Sequence, residues 1–508
     1  MSILIGIDVG TTNWKVAAFT ENGTQVCVHK IPSRTHYMAN GCGYYEPEEL
    51  WGSFCQLLRK TVESCAGQEI LGISVASLAE SLVPIGEDGK ELFPIIAWFD
   101  GSPREEAKLI ERTFTREVIF SRFGLDPDPI FPLPKILWLR NHYPEIYAKT
   151  RKWLQMADYL YYKLCGVFAT DYTLAGRTLA LDLHKRAWDT EVLNTFGINV
   201  DTMPQPSASG TLLGGVSAAA SACTGLKIGT PVFVGGHDHP CATLASGALN
   251  GRKIMDSSGT AEAFLLVSAP DAPVPTVPQG QRVGLHLDPR RYVLWGGIKA
   301  SGASADWGYE MLTTRSGWTG EKEKVDYGAI ARKMETIPMG SEGALYIPHL
   351  RGSGAPTWNT LDRGAFVGLT SRHTAPHMMR ALFEGLSCQA RIIVRMHQDI
   401  SGIDAESICV AGGSTKNRFW QQLKADITGL PVEICSVDEA TAQGAALLAA
   451  VGAGVYKDID EAGEAAGRNN EILYPDPSRK EECEKLFRRY AVANDTLCGL
   501  HRTLAEME

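Results

Sequence analysis

"LIGIDVGTTNWKVAAF", residues 4–19, runs from apolar residues into Asp8, turns through Gly10, Thr11, Thr12 and Asn13, and becomes apolar again after Lys15. It reads as strand, tight turn, strand. Consecutive backbone N–H groups in such a turn form a concavity that suits an anion. The hydroxyls of Thr11 and Thr12 add donors, Lys15 adds charge, and Asp8 can hold Mg2+ through water. Taken alone, the same residues also describe a plain hairpin whose glycine permits the reversal. The pattern restarts half a chain later in "RKIMDSSGTAEAFLLVSA" (252–269), where Ser258-Gly259-Thr260-Ala261 is the turn. Gly412-Gly413-Ser414, between an apolar strand and a helix, offers a third concave turn. Two such strand-turn-strand starts predict two related α/β domains, and glycine-hydroxyl turns in both halves suit a nucleotide held between them. Neither GxxxxGK[ST] nor GxGxxG occurs, which removes the two best-known nucleotide motifs.

Size and composition agree with that division. A chain of 508 residues is too long for one hydrophobic core. A formal charge of -9 without any basic run argues against a nucleic-acid role. No uninterrupted apolar run is long enough to span a bilayer. The N-terminus lacks a positive n-region and reads as a first strand rather than a signal peptide. The twelve cysteines contain no CxxC pair and read as reduced core residues, not as a disulfide or zinc framework. The cytoplasm is the default compartment.

Between the turns, the periodicity predicts an amphipathic helix over 46–65, a buried strand over 70–77 and a hairpin over 81–92. It predicts mostly helix over 104–165, broken by the proline-rich 125–135, then a strand over 230–236 and a helix over 241–249. A proline-rich surface loop covers 269–280. Strand, glycine turn, helix and strand fill 405–435, a small-residue helix follows over 441–456, and a charged amphipathic tail covers 479–508.

"VGGHDHPCATLASGAL" (234–249) places His237, Asp238 and His239 at the end of an apolar strand. The residue types admit a metal site, a catalytic centre or a polar turn. In an extended segment neighbouring side chains point to opposite faces, so only His237 and His239 would share one. No HExxH or Cys/His partner set accompanies them, which counts against a metal centre.

These motifs, taken in order, resemble the FGGY family of carbohydrate kinases, within the sugar kinase/actin/Hsp70-like superfamily. "IDVGTTNWK" and "SSGTAEA" (257–263) are similar to its two phosphate motifs. "GGSTKNRFWQQLKADITGLPV" (412–432) is similar to its adenosine motif. "PLPKILWLRN" (132–141) and "GAFVGLTSRHTAPHMMRALFEGLS" (364–387) are similar to its two signatures. The resemblance implies two ribonuclease H-like (actin-like ATPase) domains with an interdomain cleft. Residues 1–247 would be the sugar-binding domain that carries the base, and 248–508 the nucleotide-binding domain. It implies ATP-dependent phosphorylation of a small sugar or polyol, with ATP and Mg2+ as cofactors and a homodimer as a family-level expectation.

Residue by residue, the resemblance makes Asp238 the general base and puts Asp8 on the metal side. Thr11, Thr12, Lys15, Gly259 and Thr260 fall near the phosphates. Gly302 and Asp306 fall at nucleotide-contacting positions, with Gly413 and Asn417 at the adenosine end; Asp306 also reads as a carboxylate at a helix N-terminus. The substrate strand-turn carries Leu78-Ala79-Glu80 where glycerol kinases have Gln-Arg-Glu. Ala79 thus lacks their arginine, and Ile130 stands where they place a tyrosine. Both departures count against glycerol and suggest a somewhat larger polyol or a ketose, a ketose such as a pentulose being favoured, although xylulokinases carry Gln-Met-His at this strand-turn. Glu80, Asp100 and His239 complete the expected sugar pocket, with a turn aspartate as the other reading of Asp100. His237 reads as support for the base, and an ordinary structural role stays open for both histidines. The competing function is an actin- or Hsp70-like nucleotide-dependent binding protein without sugar chemistry.

Overall fold

The computed structural model describes residues 2–249, 251–277, 281–313, 326–505 and 507. The last three residues of the proline-rich stretch 269–280 lie outside the described residues, as do Glu506 and Glu508 of the C-terminal tail. The chain divides into two compact units. The first comprises Met1–Leu249, Val267–Leu294 and Glu439–Arg468; the second comprises Asn250–Leu266, Trp295–Asp438 and Asn469–Glu508. Each unit is therefore assembled from three stretches of sequence.

The first unit is built on a six-stranded sheet. Its order is Leu212–Gly215, Pro231–His237, Glu69–Ser77, Ser2–Val9, Asn13–Thr20, Gln25–Pro32. Pro231–His237, Glu69–Ser77 and Ser2–Val9 run parallel, and the turn at Gly10 sends Asn13–Thr20 back antiparallel. Ile3, Ile5, Ile7 and Val9 are buried in one core with Phe54, Leu57 and Leu58 of the helix Pro47–Ser64. The opposite face explains the small-residue helix Ala440–Gly452. A Cβ on Gly6 would lie 1.8 Å from the carbonyl oxygen of Ala442, and one on Gly444 would lie 2.0 Å from that of Cys241. Glycine at these two places lets the helix touch the sheet and the neighbouring helix Asp238–Ser246 backbone to backbone.

The second unit repeats this plan. Lys253–Ser258 runs antiparallel to Glu262–Val267 and parallel to Ser407–Ala411, which runs parallel to Val432–Ile434. Ser2–Val9 and Lys253–Ser258 thus occupy equivalent places, each followed by a tight turn.

Two local expectations change. The hairpin over 81–92 keeps its turn, with Gly86 N–H donating to Lys90 O at 2.8 Å. The full ladder of Val83–Gly86, however, is made with the remote strand Thr150–Leu154. That strand interrupts the helical region 104–165, because four residues at an edge are satisfied by whichever strand tertiary packing brings. The helix expected from Cys241 begins earlier, at Asp238, and ends on left-handed Gly247. An aspartate in the first turn is favoured there by the helix dipole, and Pro240 falls where no intrahelical donor is needed. All twelve cysteines are free thiols. Among the described residues no helix is long and apolar enough to cross a membrane.

Candidate active site

Three parallel strands of the first unit end side by side, and each delivers an acid at or just beyond its carboxyl end. Asp8 pairs in register with Ala76, and His237 pairs with Ser77. Glu80 follows the central strand by three residues. Open α/β sheets bind ligands outside the carboxyl ends of their strands, so this edge is where chemistry is expected.

Asp238 is the first residue of its helix, and His237 precedes it in extended conformation. The opposite-face expectation fails here, because the chain turns into a helix at the aspartate. His237 Nε2 lies 3.0 Å from Asp238 Oδ1 and His239 Nε2 lies 3.9 Å from the same oxygen. The His239 backbone N–H donates to that oxygen at 2.7 Å. Burial disfavours the Asp238 carboxylate, but the fields of His239 and His237 and these hydrogen bonds outweigh it and hold the group below the usual carboxylate range. For His239, burial outweighs the pull of Asp238 and favours the neutral imidazole. The His237 backbone N–H donates to Thr173 Oγ1 at 2.7 Å, and Asp171 fixes Thr173 in turn.

At Asp8, burial pushes the carboxyl up to about 7, with Asp238 and Glu439 adding to the effect and Lys15 opposing it. Lys15 Nζ lies 3.5 Å from Asp8 and donates to Glu439 at 2.6 Å. Asp8, Lys15, Asp238 and Glu439 form one electrostatic cluster. Thr11 and Thr12 are exposed on the adjoining turn, and their carbonyls accept from Ser33.

Glu80 is buried with a left-handed φ of 66°, a conformation most residues avoid. Its backbone is held from both sides. Its N–H donates to Gln155 Oε1 at 2.9 Å, and its carbonyl accepts from Lys135 Nζ at 2.8 Å. Lys135 also donates to Ala97 and Trp98, and burial pushes its ammonium down to about 7. The Glu80 carboxylate accepts from Arg177 Nε at 2.6 Å, and Arg177 lies over the Phe131 ring. Ala79 is fully packed beneath. Asp100 accepts from the backbone N–H groups of Gly43 and Ser102 at 2.8 and 3.0 Å, so its carboxylate shapes a turn.

In the second unit, Gly259, Thr260, Gly302, Asp306, Gly413 and Asn417 all line one cavity of about 330 Å³, with Ala305, Phe383, Ser414 and Trp420. Its floor is close-packed: a Cβ on Gly302 would lie 2.5 Å from Gly259 O. Gly413, by contrast, faces open space, with nothing within 4 Å of a Cβ. The Asn417 side chain caps the helix Arg418–Thr428 through the Trp420 N–H. Asp306 is exposed on the helix Gly302–Thr313.

Glu439, Arg177 and Gln155 were invisible to sequence reasoning, and Lys135, although inside "PLPKILWLRN", was given no role. Glu439 meets Lys15 from 424 positions away, and Arg177 meets Glu80 from 97 positions away, with no motif marking either pair.

Comparison with known proteins identifies the family. The N-terminal domain of the FGGY family of carbohydrate kinases matches residues 3–245, and the family's C-terminal domain matches residues 255–453. The chain belongs to the FGGY family and is a carbohydrate kinase. It is 27% identical over 497 residues to the xylulose kinase of Bacillus subtilis (strain 168), covering 96% of each chain. It is 29% identical to an autoinducer-2 kinase of Escherichia coli (strain SMS-3-5 / SECEC), covering 94% of this chain and 91% of that one. Among solved structures, a xylulose kinase from Lactobacillus acidophilus superposes with a TM-score of 0.89 at 24% identity, covering 99% and 100% of the two chains. A Plasmodium falciparum glycerol kinase with ADP gives 0.87 at 21%, covering 97% and 98%. The fold is thus the two-domain actin-like ATPase fold of this family. Family membership displaces the binding-protein alternative: the chain carries out ATP-dependent phosphorylation of a small sugar or polyol.

Proposed function

We propose that the substrate is a ketose such as a pentulose rather than glycerol, and that Asp238 is the general base. The observation that carries this reading is the Asp238 carboxylate, delivered to the sheet edge by its own strand, flanked by two histidines and accepting the His239 backbone N–H. A sugar hydroxyl is a poor nucleophile, so a positioned carboxylate takes its proton as the oxygen attacks the γ-phosphorus. Glu80, steered by Arg177, Lys135 and Gln155, accepts hydrogen bonds from substrate hydroxyls. His239 lies beside it, and the fields of Glu80 and Arg177 both reach its ring. Ala79 leaves the pocket without the arginine found in glycerol kinases.

The cavity of the second unit is proposed to take the nucleotide. Its glycine and hydroxyl turns suit phosphates, and Phe383 and Trp420 offer apolar surface. Asp8 fits Mg2+ as its single protein carboxylate. Among the described residues no group of three or more His, Cys, Asp or Glu side chains could hold a metal, and Mg2+ characteristically relies on one or two carboxylates with water and nucleotide phosphates. When bound, the ion would neutralise phosphate charge. Lys15, itself held by Glu439, lies beside Asp8.

A coupled assay of ADP release across pentuloses, hexuloses, linear polyols and glycerol tests the reading. The expected outcome is turnover that depends on a ketose and exceeds that with glycerol. Preference for glycerol would overturn the substrate assignment.

A further inference from the structure

Outside the cluster around Asp238, one set of charges is entirely internal. Lys424, Asp256 and Glu262 have side chains with no exposure at all. Lys424 Nζ donates to Glu262 Oε1 at 2.5 Å and to Asp256 Oδ2. Glu262 Oε2 accepts from the Ser301 hydroxyl at 2.7 Å. The ammonium lies 5.3 Å from the ring centre of Trp420, one turn earlier on its own helix.

Two carboxyls and one ammonium are neutral only if one carboxyl keeps its proton. Burial and the neighbouring Glu262 raise Asp256 well above the usual range, so Asp256 keeps it. Burial works against the Glu262 carboxylate as well, but Lys424 outweighs it and holds Glu262 ionised. The network is sealed from water although Asp256 Oδ1 has no hydrogen-bond partner, and a buried ion pair is by itself weak evidence for stability.

The geometry it holds is that of the cavity. Asp256 and Glu262 bracket the turn Gly259-Thr260, on strands paired from Ile254↔Leu266 to Ser258↔Glu262. Ser301 immediately precedes Gly302, and the backbone N–H groups of Ser301 and Gly302 donate to Thr260 O and Gly259 O, both at 3.0 Å. Lys424 belongs to the helix Arg418–Thr428, which Asn417 caps through the Trp420 N–H. Three cavity walls, at 259–260, at 302–306 and at 417–420, are therefore tied to one ammonium group.

We propose that Lys424 is a positioning residue for nucleotide binding: through Asp256, Glu262 and Ser301 it sets the spacing of the three walls without touching the ligand. This rests on the reading of the cavity as the nucleotide site, and the test separates the two. ADP affinity is measured by calorimetry on the full chain, together with the KM for ATP and for the sugar, for four variants. Gly413→Leu fills the open side of the cavity and should abolish ADP binding; retained binding overturns both the cavity reading and the role of Lys424. With that plug effective, Ser301→Ala, which removes one bond to a charged group, should weaken ADP roughly 10-fold. Lys424→Met should weaken it by more, and Lys424→Met with Glu262→Gln should recover part of the loss by restoring neutrality. In the Ser301 and Lys424 variants the KM for D-xylulose, the pentulose used as probe, should stay unchanged. ADP affinity within two-fold of the parent in Ser301→Ala, or ADP and sugar affinity falling together, overturns the positioning role even if Lys424→Met fails to fold.

Discussion

The turns at Gly10 and at Gly259 follow equivalent strands in the two units, yet the charges behind them are arranged in opposite ways. Behind the first, Lys15 is partly exposed, and its partners Asp8 and Glu439 share a field with Asp238. The cluster is open and holds more acid than base. Behind the second, Lys424, Asp256 and Glu262 are sealed from water, with one ammonium between two carboxyls. The same backbone device therefore serves two ends: an open cluster can exchange a proton or meet a cation, whereas a sealed one can only fix distances.

The sharpest way to break this contrast is at the open cluster. Asp238→Asn should lower kcat by roughly 10²–10⁴-fold, the scale of general-base removal, with an unchanged thermal midpoint. Near-normal turnover would remove the base assignment. At the sealed cluster the balance should reverse. Lys424→Met leaves Glu262 buried without its partner and should cost about 3–5 kcal/mol of stability, read from urea denaturation. An equally stable variant would show that the network carries no strong charge.

Acid should treat both units alike. Burial holds His286 in the first unit and His397 in the second down to about 3. For a base with a lowered folded pKa, the stability is fully present above about 6.5 and is lost as pH falls toward 3, because the unfolded chain takes the proton first. His286 supports the Asp238 helix through Thr243 at 2.7 Å. His286→Gln should flatten the decline between pH 7 and 4 by about 3 kcal/mol, measured as urea midpoints across that range. An unaltered slope would show that His286 titrates normally.

The smallest effect probes the border of the open cluster. Glu80→Gln keeps the shape but weakens the pairing with Arg177. It should raise the sugar KM about 10-fold and leave the KM for ATP alone. A change in both would place Glu80 among groups that serve the whole fold.

Much of this was legible in the chain. The paired strand-turn-strand starts announced two related sheets, and "VGGHDHPCA" announced Asp238 at a strand end, because period and turn chemistry are local properties. The histidines were expected to flank the base, and they do; only the opposite-face argument changed, because the helix that starts at Asp238 brings both rings to a single oxygen. For Asp100 the local sequence left a substrate contact and a turn aspartate equally open, and in the fold its two oxygens are engaged by the N–H groups of Gly43 and Ser102.

By itself the sequence determined the strands, the turns and the acids at their ends, since each depends on residues within a few positions of one another. Only the tertiary structure decided which charges face each other. Lys15 with Glu439, Glu80 with Arg177, and Lys424 with Asp256 are separated by 424, 97 and 168 positions. A charge buried away from water must find a partner wherever packing supplies one, and packing across a sheet takes no account of distance along the chain.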